Sequence, residues 1–207
     1  MKQNLFIAFE GIDGSGKSTQ VKLLTKKLED IGHKVYATFE PTDSPIGKMI
    51  RAIFSGKMVA DHSVIAGLFV ADRLDHLLNK TNGVLKMLAD GYTVITDRYY
   101  FSSYAYHGVH ISLDWVIEAN KLSANLLRPD LNVYIDISPE ESMSRINKGR
   151  TSVELYETLE NLTKVKNVYQ LAFSQLKDVE KICIINGEKS EQEIADDIWK
   201  QISIIKH

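Results

Sequence analysis

A chain of 207 residues, 44% hydrophobic and 25% charged, can bury a sizeable core without disulfide or metal staples. Its formal net charge of −2 excludes the broad basic field of a dedicated nucleic-acid binder, and no apolar run approaches the roughly 20 residues of a membrane span. One cysteine, Cys183, excludes an intrachain disulfide, and the N-terminus lacks a signal-peptide pattern, so a cytoplasmic protein of one domain over residues 1–207 is predicted.

The first apolar run, 5–9, reads as a strand. It leads into Gly11-Ile12-Asp13-Gly14-Ser15-Gly16-Lys17-Ser18-Thr19, and helical spacing then runs over 19–31 to a stop at Gly32. This is the P-loop pattern G-x-x-x-x-G-K-S/T in its strand–loop–helix context. Glycines let successive N–H groups turn toward phosphate oxygens, and the helix aims its positive N-terminal end at the same anion. Gly11, Ile12, Asp13, Gly14, Ser15, Gly16, Lys17, Ser18 and Thr19 are thus candidate ATP- and phosphate-binding residues. Lys17 would bridge the β- and γ-phosphates, and Ser18 would ligate Mg²⁺.

A second strand is expected at 35–39, then helices over 45–55 and 63–89. The third strand, 92–96, ends at Asp97-Arg98. A carboxylate at a strand end can hold Mg²⁺ or its water, and Arg98 would face the same cleft. Helical spacing over 113–127 precedes a strand at 132–137; helices over 139–147 and 154–178, a strand at 181–185 and a helix from Ser190 follow. Glu193 stands at capping-box spacing from Ser190. Strands alternating with helices imply a three-layer α/β sandwich, with a five-stranded parallel sheet flanked by helices. Ligands bind beyond the carboxyl ends of such strands, where these motifs sit. A guanine-reading Asn-Lys-x-Asp and protein-kinase motifs are absent.

Four segments together resemble the thymidylate kinase family of P-loop nucleoside monophosphate kinases. They are the stretch 9–20 around the P-loop; Glu40-Pro41-Thr42-Asp43-Ser44-Pro45-Ile46-Gly47; Leu68-Phe69-Val70-Ala71-Asp72-Arg73; and Asp97-Arg98-Tyr99-Tyr100-Phe101-Ser102-Ser103-Tyr104-Ala105-Tyr106. Their order and spacing fit the family over nearly the whole chain. The resemblance implies ATP-dependent phosphorylation of dTMP to dTDP, toward dTTP, by direct in-line transfer with Mg²⁺. It implies ATP and dTMP as partners, no nucleic acid or membrane, and a homodimer.

It further implies catalytic roles for Lys17, Asp13, Arg98, Asp97 and Arg150, with Ser18 and Asp97 at the metal. Phe69 would stack on thymine and Arg73 would bond a base carbonyl. Asp13 would receive the sugar 3′-hydroxyl, Arg98 would clamp the acceptor phosphate, and Tyr106 would pack near the deoxyribose. Pro41, Ser102, His107 and Tyr156 complete the expected dTMP side, with Ser103 a weaker candidate. The segment around 145–157 resembles the lid over ATP, with Arg145 against adenine. Some relatives carry Arg at the position of Gly14; here Arg150 would supply that charge. Two departures stand out. Phe39 occupies a place where bacterial members commonly have Arg, leaving Lys48 or Arg51 as substitutes. His107 replaces the usual Gln near the pyrimidine, which keeps dUMP or dCMP open as acceptors. A non-catalytic nucleotide-binding module is the third reading, and the intact Lys17, Asp97 and Arg98 weigh against it.

Overall fold

The computed structural model describes residues 4–149, 156 and 158–205. Five strands, β1 (Phe6–Glu10), β2 (Val35–Phe39), β3 (Thr93–Asp97), β4 (Leu131–Asp136) and β5 (Ile182–Asn186), form one sheet in the order β2-β3-β1-β4-β5. Every neighbouring pair is parallel. All of β1 is buried. Phe6 and Ala8 join a core with Tyr99, Tyr134 and Phe173. Leu5, Ile7 and Phe9 join a second core with Val21, Leu24, Ile194 and Ile198. Cover on both faces is why the central strands read apolar without alternation.

The helices are α1 (Lys17–Asp30), α2 (Pro45–Phe54), α3 (His62–Leu78), α4 (Val84–Ala89), α5 (Tyr100–Gly108), α6 (Leu113–Leu126), α7 (Pro139–Gly149), α8 (Leu159–Leu176) and α9 (Glu191–Ile205). Local chemistry sets several ends. Ser44 Oγ accepts from Gly47 N–H at 3.0 Å with Pro45 at the first helical position. The Ser190–Glu193 capping box forms as expected, each side chain accepting the other's backbone N–H at 3.0 and 3.4 Å. The helix expected over 63–89 is instead two, α3 and α4. Asn79 Oδ1 accepts from Thr81 N–H at 2.9 Å, a local bond that competes with the helix. The helix α5 has no counterpart in the sequence reading. Its residues from Tyr100 to His107 are buried all round, so no amphipathic period marks it. Among the described residues, no helix is long and apolar enough to cross a membrane.

Candidate active site

Phe9 of β1 lies opposite Asp97 of β3, so the P-loop and the Asp97-Arg98 pair leave the sheet side by side. Gly11, Gly14 and Gly16 take φ values of 145°, 73° and 92°, which side chains rarely allow. At Gly11 an added Cβ would lie 2.7 Å from Ser15 Oγ and 2.8 Å from Ile135 O. Gly16 precedes α1 without a side-chain cap, which leaves the first helical N–H groups turned to the loop. Lys17 Nζ folds across that loop and donates to Gly11 O at 3.0 Å and Ile12 O at 2.9 Å. Burial, then repulsion from Arg98, lowers the Lys17 pKa to about 8. Ser18 Oγ donates to Asp97 Oδ2 at 2.5 Å on the exposed lip.

Arg98, at φ 74°, is the only non-glycine residue with positive φ among those described. Its Nη1 donates to Gly11 O at 3.2 Å and Ser102 Oγ at 2.9 Å, and its Nη2 to Asp13 Oδ1 at 2.5 Å. Burial opposes its charge, but Tyr106 and Asp13 hold the pKa well above the usual arginine value. The Tyr106 ring lies 5.0 Å from the guanidinium. The Tyr106 hydroxyl donates to Asp13 Oδ2 at 2.7 Å and accepts from Asp13 N–H at 3.0 Å. From α7, Ser142 Oγ donates to Asp13 O at 2.5 Å, which ties the loop to that helix.

Fully buried beside this cluster is Glu10, which the sequence reading did not single out. Its carboxylate accepts from Tyr99 N–H at 3.0 Å, Ser102 Oγ at 2.6 Å and Tyr169 Oη at 3.0 Å. Burial pushes its pKa up to about 7, while Ser102, Arg98 and Tyr169 pull it down. Its one sequence signal is an acid closing an otherwise apolar strand.

A cavity opens beside Asp13 and Arg98, lined also by Pro41, Phe54, Phe69, Ser102, Ser103, Tyr106, His107 and Tyr156. The residues expected on the dTMP side therefore meet at one place, apart from Arg73. Phe54 went unnoticed in the sequence because it reads as an ordinary apolar position of α2; it packs 6.0 Å from Phe69 and 5.5 Å from Tyr156, ring to ring. Phe69 and His107 stand 5.0 Å apart. Ser103 Oγ and His107 Nδ1 are buried with no hydrogen-bond partner among the described residues. Burial, then the Arg73 charge, lowers the His107 pKa to about 3, so its ring is neutral. Unpaired polar atoms in an apolar wall are placed to meet a polar edge of a ligand.

Arg73 stands behind this wall. Its Nε and Nη2 donate to Glu40 Oε2 at 2.9 and 2.6 Å, and Nη1 donates to Asn120 Oδ1. That pairing satisfies a fully buried charge and anchors α3 to α6 and to the end of β2. Arg51 donates to Pro41 O at 2.7 Å and Asp43 Oδ1 at 3.0 Å, on the segment carrying the cavity rim, whereas Phe39 points outward, 45% exposed. Arg145 donates to Glu141 Oε1 at 2.7 Å and to Gly187 O at 2.9 Å, next to the turn after β5. Arg150 and most of the expected lid lie outside the described residues.

A family model described as Thymidylate kinase matches residues 9–198. The chain is 38% identical over 208 residues to a probable thymidylate kinase of Pyrococcus horikoshii, covering 98% of this chain and 96% of that protein. A probable thymidylate kinase of Pyrobaculum aerophilum is 38% identical over 200 residues, 95% of each chain. A thymidylate kinase of Leptospira interrogans is 35% identical over 197 residues, 95% of this chain and 92% of that one. The family match spans from the P-loop through the cavity wall into the last helix, and the chain belongs to the thymidylate kinase family.

Proposed function

We propose that this chain transfers the γ-phosphoryl group of ATP to the phosphate of dTMP, giving ADP and dTDP. The observation that carries the reading is Asp13, which belongs at once to the phosphate loop and to the cavity wall. Two polyanions must meet, so the work is alignment and charge neutralisation. Lys17 and the loop N–H groups neutralise the donor phosphates. Arg98, beside Gly11, receives the acceptor phosphate, one oxygen of which bonds to Pγ as the bond from Pγ to the β–γ bridging oxygen breaks.

A carboxylate repels phosphates, so Asp13 suits a hydroxyl, the sugar 3′-hydroxyl. Tyr106 packs against the deoxyribose and disfavours a 2′-hydroxyl. Phe69 stacks on the base, with Ser103 and His107 at its polar edge. Arg73, behind that wall, bonds a base carbonyl through the N–H groups left over from Glu40 and Asn120. Ser18 and Asp97 fit Mg²⁺, since both offer hard oxygens at the loop's lip. Bound there, the ion supplies positive charge to the phosphate oxygens.

We read residues 1–207 as one kinase domain whose lid, around 145–157, brings Arg150 and Arg145 to ATP. Two copies pair through α3 and α6, a reading supported by exposed apolar residues on both helices. The single unpaired cysteine supports a cytoplasmic setting. Family membership does not favour dUMP, dCMP or a silent module. The test is a coupled ADP assay with ATP, Mg²⁺ and a panel of monophosphates. Fastest turnover of dTMP is expected, and a strong preference for dCMP would overturn the assignment.

A further inference from the structure

Arg98, at φ 74°, occupies a left-handed backbone conformation that is unfavourable for an L-residue and persists only where its surroundings enforce it. Arg98 N–H donates to Phe9 O and Thr96 Oγ1 donates to Arg98 O, each at 2.8 Å, and a further hold lies at the next residue. The helix α5 begins after Tyr99 without a side-chain cap of its own. Glu10 supplies the missing acceptor: its Oε1 takes the Tyr99 N–H at 3.0 Å, immediately after Arg98 in the chain. Its Oε2 accepts from Ser102 Oγ at 2.6 Å, and Ser102 Oγ in turn accepts from Arg98 Nη1 at 2.9 Å. Tyr169, from α8, donates to that same Oε2 at 3.0 Å. One buried carboxylate thus holds Arg98 at both ends, backbone and guanidinium, without lining the cavity itself.

We propose that Glu10 is the positioning residue for Arg98: it fixes the left-handed turn and, through Ser102, aims the guanidinium into the cleft. The inference rests on the reading of Arg98 as the acceptor-phosphate clamp. A carboxylate serving only the core would act on stability and leave the chemical step alone, so the two roles separate kinetically.

The experiment is a double-mutant cycle on kcat with Glu10→Gln, Arg98→Ala and both together, alongside the KM for ATP and the melting temperature. Glu10→Gln should lower kcat about tenfold or more, because a small misplacement of an aligning group is costly. Its KM for ATP should stay within about threefold of wild type, the donor side being untouched. In the Arg98→Ala background the same change should alter kcat less than about twofold, since a group acting through Arg98 loses its effect when Arg98 is gone. Should Glu10→Gln fail to fold, Tyr169→Phe removes the hydroxyl's bonds to Glu10, Ser102 and Gly11 and leaves the carboxylate; its smaller kcat loss should likewise vanish without Arg98. Losses of equal size in both backgrounds, or a wild-type kcat in Glu10→Gln, overturn the inference alone. A wild-type chain that forms no dTDP overturns the functional reading and this inference with it.

Discussion

His107 is neutral in the fold, and that has a consequence for stability. Burial and the Arg73 charge take its pKa from 6.5 to about 3. Below pH 6.5 the unfolded chain binds a proton here that the folded chain refuses. The stability this site allows is therefore complete above pH 6.5 and is lost as pH falls toward 3, by about 1.4 kcal/mol per pH unit. Glu10 runs the other way. Its pKa rises from 4.5 to about 7, so its contribution is complete below pH 4.5 and is lost as pH rises through 7. Between pH 4.5 and 6.5 the two slopes offset each other. Replacing His107 exposes the Glu10 slope. Relative to wild type, His107→Gln should gain about 2 kcal/mol on going from pH 6.5 to pH 5, read from urea unfolding at both pH values. Parallel behaviour of the two proteins would show that the imidazole takes its proton as readily folded as unfolded.

At the scale of elements, α7 lies against the P-loop at Gly14. A Cβ there would sit 2.9 Å from Ser142 O and 3.3 Å from Ile146 Cγ1, at φ 73°. At Gly16, φ is 92° but nothing lies within 4 Å. Gly16→Ala should therefore cost only the backbone term, about 1–2 kcal/mol, while Gly14→Ala adds a clash with backbone, for about 2–4 kcal/mol in all. Thermal melts of the two variants rank them; equal losses would mean that α7 yields freely. This contact could not be read from the sequence, whereas the P-loop and Asp97-Arg98 could, because each is a local pattern at a strand end. The central strands β1, β3 and β4 were legible within about a residue or two because burial on both faces leaves apolar runs, and the partly exposed edges β2 and β5 were legible through their β-branched and aromatic residues. The helix α5 was not, since burial all round erases periodicity, and the break before α4 turns on one Asn79 side chain. Glu10 and Phe54 gain their meaning only from partners distant in sequence, Tyr169 for one and Tyr156 for the other. The motif Phe69-x-x-x-Arg73 was legible as a unit, but not that Glu40 and Asn120 would take the guanidinium.

Over the whole molecule, charge must converge on two anions, and the described cations nearest the transfer are Lys17 and Arg98. Gly14 leaves the P-loop without a further cation, so Arg150→Ala should cut kcat at least about a hundredfold with little change in melting temperature. Near-normal turnover would remove Arg150 from the reaction. The same scale bears on assembly. Along α3, Val64, Gly67, Ala71 and Leu78 face outward at spacings that keep them on one stripe, with Val64 53% exposed. Along α6, Trp115, Leu122 and Leu126 do the same, Leu122 being 56% exposed. Arg73 and Asn120 bond these two helices together, so both stripes ride on adjoining elements whose other faces build the acceptor side. A second copy covering them would remove apolar surface from water at about 25 cal/mol per Å² and steady the helix that carries Phe69. Leu122→Glu places a charge in that patch at a position with no role in the core, where a lone chain should tolerate it to within about 0.5 kcal/mol. In sedimentation, wild type should run as two chains and Leu122→Glu as one, and the melting temperature should depend on concentration only for wild type. A wild type that stays a single chain at micromolar concentration would leave the stripes without a partner copy, and α3 would then have to hold the cavity wall through its contacts with α2, α4, α5 and α6.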